Sequence, residues 1–237
     1  MIPIKTESAW RGTSDCRACA IRETALFSKL TEEDFALIHT PIDDLAYRAN
    51  QVLFNEGDPV NGIFTLRSGM VKRSRTTSDG RTRILRLLRP GDVVGLEALA
   101  SGRYDSEATA LTDASLCRIP AEIVHSLSQS SPRMYAGLLD KWQKALHEAD
   151  DWLAAINFGT ARQRVSHFML AMRHGTDPGV TTIFSREDMG AMMDLKLETV
   201  SREISALLKA GLIQPLDKTG RLYRILDAAL LQRQAEG

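Results

Sequence analysis

The chain has 237 residues, 43% hydrophobic and 25% charged, with 30 Lys+Arg set against 30 Asp+Glu. This is the composition of a folded protein of one large domain or two smaller ones. No run of about eighteen apolar residues is present, which excludes a membrane-spanning helix.

The opening stretch MIPIKTESAWRG lacks the apolar core of a signal peptide. Three cysteines, an odd count, argue against a secreted disulfide framework and make the cytoplasm the expected compartment. Residues 158–237 hold 11 Lys+Arg and 9 Asp+Glu, a net of +2, so the C-terminal part is mildly basic. That alone makes no case for nucleic acid.

Near the start, SDCRACAIRE sets Cys16 and Cys19 three apart, the spacing of a metal, cluster or redox pair. TEEDFALIHTPI reads as a short helix with Thr31 as N-cap and Asp34 completing a capping-box-like start. From Gln51 to Pro120 the pattern is β, with the short runs GIFTLRSG, GMVKRSR, TRILRLL and DVVGLEAL punctuated by glycines. Asp79-Gly80 predicts a tight hairpin turn. Short strands at this spacing predict an antiparallel barrel or roll able to enclose a small ligand.

From Pro132 to Phe158 the period becomes helical. Leu138, Trp142, Ala145, Ala149, Trp152 and Ile156 are separated by 4, 3, 4, 3 and 4 residues, an a/d seam. Leu139, Leu146 and Leu153 form a second stripe on a neighbouring face. Two stripes are wide for one contact face. One can cover the roll, and the other predicts a parallel copy of the same helix, with the six-residue seam as the dimer interface.

Beyond Gly159, Thr160 predicts the N-cap of a helix over ARQRVSHFMLAMRHG. Ser185, with Asp188 three residues on, predicts the start of another that runs to Met192 or Met193. After the turn residues DLK, a further helix runs from Leu197 to Lys209 and stops at Gly211. LIQPL and RLYRIL then read as two strands around KTG. Helix, tight turn, helix and hairpin make a winged helix-turn-helix.

On the second of those helices Glu198, Ser201 and Arg202 share one face, while Val200, Ile204, Leu207 and Leu208 face inward. Alone, a Glu–Arg pair at this spacing is a surface ion pair worth about 0.3–0.5 kcal/mol. In a helix-turn-helix it is a reading face. Arg202 can bond guanine O6 and N7, Glu198 can accept from cytosine N4, and Ser201 suits several base edges.

With these motifs in place the chain resembles the Crp/Fnr regulators over almost its full length. LETVSREISALLKAGLI is similar to the recognition helix of the Fnr branch, whose mark is Glu-x-x-Ser-Arg. The resemblance implies an α+β fold: a cyclic-nucleotide-binding-like sensory roll over residues 1–130, a dimerisation helix over 131–158 and a winged helix-turn-helix over 159–237. It also implies a homodimeric transcription factor that reads TTGAT-like half-sites in double-stranded DNA and works with RNA polymerase, under effector or redox control.

The resemblance suggests two sensor chemistries. The cyclic-nucleotide branch carries Gly-Glu-Leu and then an Arg-Ser pair whose arginine holds the phosphate. Here the segments read Gly95-Leu96-Glu97 and, around Ser106-Glu107, DSEATA with no arginine, which argues against a cyclic nucleotide. The oxygen-sensing branch holds a [4Fe–4S] cluster with four cysteines. Cys16, Cys19 and Cys117 match three of them, Ala25 stands at the remaining position, and Glu23, Asp15 or a small molecule is the alternative fourth ligand. The five histidines, His39, His125, His147, His167 and His174, form no spaced pair for haem or zinc. A cupin-like metal enzyme is the alternative of another class, but the run from Gln51 to Pro120 holds no histidine. Neither a nucleophile elbow nor a P-loop is present, so no enzyme is expected.

Overall fold

The computed structural model describes residues 24–35, 38, 42–156, 158–173 and 177–237. Contacts divide the chain into two compact units, residues 1–75 with 85–147, and residues 76–84 with 148–237. No helix among the described residues is long and apolar enough to cross a membrane.

In the first unit a one-turn helix α1 (Glu32–Phe35) precedes strands β1 (Asp43–Tyr47), β2 (Val52–Phe54), β3 (Ile63–Ser68), β4 (Val71–Thr76), β5 (Thr82–Leu88) and β6 (Val93–Val94). A helical turn α2 (Ala98–Ser101), strands β7 (Glu107–Ala110) and β8 (Ala114–Ile119), and helix α3 (Ala121–Ser130) lead into the long helix α4 (Pro132–Ile156). The strands form two four-stranded sheets ordered β1-β8-β3-β6 and β2-β7-β4-β5, with antiparallel pairings. At the expected hairpin, Gly80 takes φ +80, Thr77 N donates to Arg81 O at 2.9 Å, and the chain reverses.

Between the sheets lie Leu66, Val71, Leu88 and Leu116, all fully buried, with Phe54 stacked on Tyr104. Each such leucine contributes about 1.5–3 kcal/mol relative to an exposed one. A second cluster joins Leu26, Phe27 and Leu30 to Ile119, Ile123, Leu127 and Met134. It fastens the turn before α1, and helices α3 and α4, to the first sheet.

DVVGLEAL, expected as a strand, is strand only at Val93–Val94. Gly95 takes φ +82 and Ala98 N bonds back to Gly95 O, so the chain turns into α2 instead. Helix α3 and strand β1 have no counterpart in the sequence expectations.

The second unit holds α5 (Ala161–Ala171), β9 (Val180–Thr182), α6 (Arg186–Met193), α7 (Leu197–Lys209), β10 (Ile213–Pro215), β11 (Leu222–Ile225) and α8 (Ala228–Glu236). Thr160 caps α5 in a full capping box with Gln163. β10, β11 and β9 form an antiparallel sheet in that order, of which β9 was not expected. Trp152, Phe168 and Phe184 meet edge to face at 6.3 and 6.1 Å between centroids, tying the end of α4 to α5.

Candidate nucleic-acid interface

Helices α6 and α7 are joined by a tight turn with strict local demands. Ser185 Oγ accepts from Asp188 N at 3.0 Å, as the sequence predicts, and starts α6. Asp194 closes that helix in the left-handed region at φ +53, and Leu195 N donates to Gly190 O at 3.1 Å. A Cβ on Gly190 would stand 2.5 Å from Leu195 O, so only glycine lets the turn pack this closely.

Helix α7 then divides as the sequence predicts. Val200, Ile204 and Leu207 are buried, Leu208 is half-buried, Glu198 and Arg202 are exposed, and Ser201 is half-exposed between them. Lys196, the N-cap residue, is exposed and gives its helix no side-chain cap. The first turn of α7 is thus uncapped by its N-cap side chain, with Thr199 N bonded back to Lys196 O at 2.9 Å, and it lies at the positive end of the helix dipole, where a phosphate is favoured. Sequence reasoning overlooked Lys196. Its signal is a cation set one residue before the helix, where Ser, Thr, Asp or Asn is usual.

Two arginines of α5 brace the pair. Arg162 Nε donates to Glu203 Oε2 at 2.6 Å, and Arg164 donates to Met193 O at 3.0 Å. The other Glu203 oxygen lies 3.6 Å from Arg202 Nε. At the wing, Asp217 accepts from the main-chain amides of Arg221 and Leu222 and from the Thr219 hydroxyl. The Thr219 bond foremost lowers its carboxyl from the ordinary value. Lys218 and Arg221 project beside this turn, exposed.

Helix α4 engages part of the expected seam within the chain itself. Ile156 is 1% exposed, Leu138 packs against the apolar cluster of the roll, and Trp152 is engaged with Phe168. Those three positions face the chain's own core because the helix is turned about one residue from the expected orientation. The exposed row is Tyr135, Leu139, Trp142, Leu146 and Leu153, at 56, 51, 41, 64 and 55%. Ala149, half-buried, completes its a/d spacing, and Ala145 is also half-buried. Trp142 and Ala149 thus belong to both rows.

In the roll, Cys117 Sγ donates to Asp44 Oδ1 at 3.3 Å, and Asp44 also accepts from Arg67 at 2.6 Å. Cys117 packs in the cluster that holds Leu26 and Phe27, next to Ala25 in sequence. Ala25 is half-buried in a turn and offers only a methyl group. Cys16, Cys19, Asp15 and Glu23 lie outside the described residues. Among the described residues no group of three or more His, Cys, Asp or Glu is placed to hold a metal ion. With Ala25 at the third place, a four-cysteine ligand set does not fit this chain.

Sequence reasoning also missed Arg73, which β4 carries into the roll. Its Nε donates to Ser106 Oγ at 2.9 Å, and its guanidinium meets Asp105 at 2.7 Å and Glu97 at 3.0 Å. Burial raises the Glu97 carboxyl from its ordinary value, against the pull of Arg73.

Residues 44–131 match the cyclic nucleotide-binding domain family, and residues 163–234 match the Crp-like helix-turn-helix domain. The chain is 28% identical over 208 residues to the transcriptional activator protein FnrL of Cereibacter sphaeroides, across 84% of this chain and 83% of that protein. It is 27% identical over 237 residues to the transcriptional activator protein anr of Pseudomonas aeruginosa, across 94% of each. The solved structure of FixK2 from Bradyrhizobium japonicum superposes with a TM-score of 0.72 at 26% identity, across 82% of this chain and 98% of that one.

Proposed function

The chain belongs to the Crp/Fnr family of DNA-binding transcription regulators, and on that premise we propose that it acts as a homodimer reading a TTGAT-like inverted repeat. One observation carries this reading: Glu198, Ser201 and Arg202 stand together on the outer face of α7, whose inner face is packed. Arg202 supplies a planar fork for guanine, Glu198 an acceptor for cytosine N4, and Ser201 a hydroxyl for a neighbouring base edge. Lys196 and the uncapped first turn of α7 hold the backbone phosphates, which fix register without reading sequence. Two-fold symmetry of the DNA site mirrors a two-fold protein, and the exposed row on α4 supplies the self-complementary surface.

The working parts are a sensory segment and roll over residues 1–130, a dimerisation helix over 131–158 and a DNA-binding part over 159–237. RNA polymerase is the protein partner, the cytoplasm the compartment, and catalysis is no part of the role. Input reaches the DNA-binding part as an effector or redox signal, with the thiols of Cys16, Cys19 and Cys117 as the redox candidates. The test is binding to a TTGAT inverted repeat against a scrambled duplex at one fixed salt concentration. Preference for the repeat by at least about a thousandfold supports the reading, and equal affinity defeats it.

A further inference from the structure

The cyclic-nucleotide likeness of residues 44–131 raises the question of what lies where a phosphate would be held. The resemblance sets that place between Gly95-Leu96-Glu97 and Asp105-Ser106, and a guanidinium already stands beside Glu97, Asp105 and Ser106. It comes from β4 rather than from the segment before β7. Arg73 has a side chain only 10% exposed, and Ser106 is fully buried.

The donors of Arg73 are engaged on two sides. Nε is bonded to Ser106, and the terminal nitrogen faces Asp105 and Glu97 together. Arg75, two residues further along β4, bonds Asp105 O at 3.0 Å and pairs with Glu56 at 3.4 Å. Arg86 also acts electrostatically on Glu97. Three guanidinium groups thus face three carboxylates, and the charge closes within the chain.

A phosphate ester needs a guanidinium fork with free donors. To reach Arg73 it would have to displace Glu97, whose side chain is only 15% exposed, and leave that carboxylate buried without its counterion. We infer that Glu97 and Asp105 act as built-in anions on Arg73, so that the roll is closed to phosphate esters and holds a latent anion receptor in place of a ligand site.

The experiment uses the full chain, with thermal melting in inorganic phosphate and in cyclic AMP against sodium chloride of equal ionic strength. Wild-type protein is expected to show no shift of its midpoint in millimolar amounts of either. Glu97→Gln combined with Asp105→Asn is expected to melt about 3 °C higher with phosphate than without. Should that pair of changes fail to fold, Asp105→Asn alone serves, because its carboxylate is half-exposed, and it is expected to give a smaller shift of the same sign. Stabilisation of the wild type by either compound would overturn the inference. So would a folded neutralised variant that ignores phosphate.

Discussion

Arg162 on α5 and Glu203 on α7 share a 2.6 Å hydrogen bond, and the Glu203 side chain is only 13% exposed. The bond ties the helix that carries the proposed reading face to α5. Replacing Arg162 by Ala leaves a mostly buried carboxylate without its main partner. Chemical denaturation is expected to show a loss of about 1–3 kcal/mol. DNA affinity should fall while base preference is unchanged, because no base contact has been removed.

Arg202→Ala addresses the reading face itself. It is expected to weaken binding to the inverted repeat by about 1–3 kcal/mol and to relax preference at a single guanine. Its folding stability should be near wild type, since the Arg202 side chain is 72% exposed. A competition assay over all four bases at each half-site position checks the claim. Uniform weakening at every position would instead mark Arg202 as a phosphate contact.

The two rows of α4 make opposite predictions. Leu146→Asp, at a position 64% exposed in the single chain, is expected to give a folded monomer, because it sets a charge in the facing apolar surface. Ile156→Ala is expected to cost about 2–4 kcal/mol of stability and to leave the dimer intact. Sedimentation equilibrium and denaturation, run on both variants, separate the two effects.

Acid should act through Asp34. Burial pushes its carboxyl up, but hydrogen bonds from Arg133, Thr31 and Ser131 outweigh burial and hold it well below the usual carboxylate range. A group depressed in this way contributes its stability above the unfolded value, near 3.8, and loses it as pH falls from there toward the folded value. Denaturant midpoints measured from neutrality downward should therefore fall below about pH 4. Asp34→Asn should begin lower at neutral pH and show a flatter decline.

Iron binding should be incomplete. Protein purified and reconstituted without oxygen is expected to hold clearly fewer than about four irons per chain, since the chain has three cysteines and a carboxylate is a weaker fourth ligand for cluster iron than a thiolate. Iron analysis and the visible spectrum provide the check. A ratio near four that is lost in Cys117→Ala would contradict it.

Much of the DNA-binding part was legible because its signals are local. Ser185 with Asp188 marks where α6 begins, and Gly211, at φ +67 just beyond α7, marks where that helix ends. Neither signal needs knowledge of what packs nearby. The orientation of α4 was not legible in the same way. Its two apolar stripes sit one residue apart, and periodicity states that two faces exist without stating which meets the roll. Only the contact of Leu138 with that core, and of Trp152 with Phe168, decides it. Arg73 was hidden for a related reason. It lies two residues from fully buried Val71 on one strand, so alternation already places it on the inward face. A lone arginine there has no meaning until Glu97 and Asp105, distant in sequence, arrive beside it. Helix α8 was missed although Asp227 accepts from Leu230 N and caps it, because the sequence reading stopped at the hairpin strand RLYRIL.

The missing side chain at Gly190 has a consequence for engineering. The angle at which α7 leaves the turn is set by that glycine, by Asp194 in its left-handed conformation and by the buried side of the helix, none of which belongs to the Glu198, Ser201 and Arg202 face. The frame and the lettering are therefore separate. If residues 198, 201 and 202 read DNA as proposed, exchanging them together is expected to re-address the regulator to another operator while the scaffold stays as it is. A single methyl group added at Gly190 would press on Leu195 O at 2.5 Å and is expected to shift α7, and with it the whole proposed reading face, as one body.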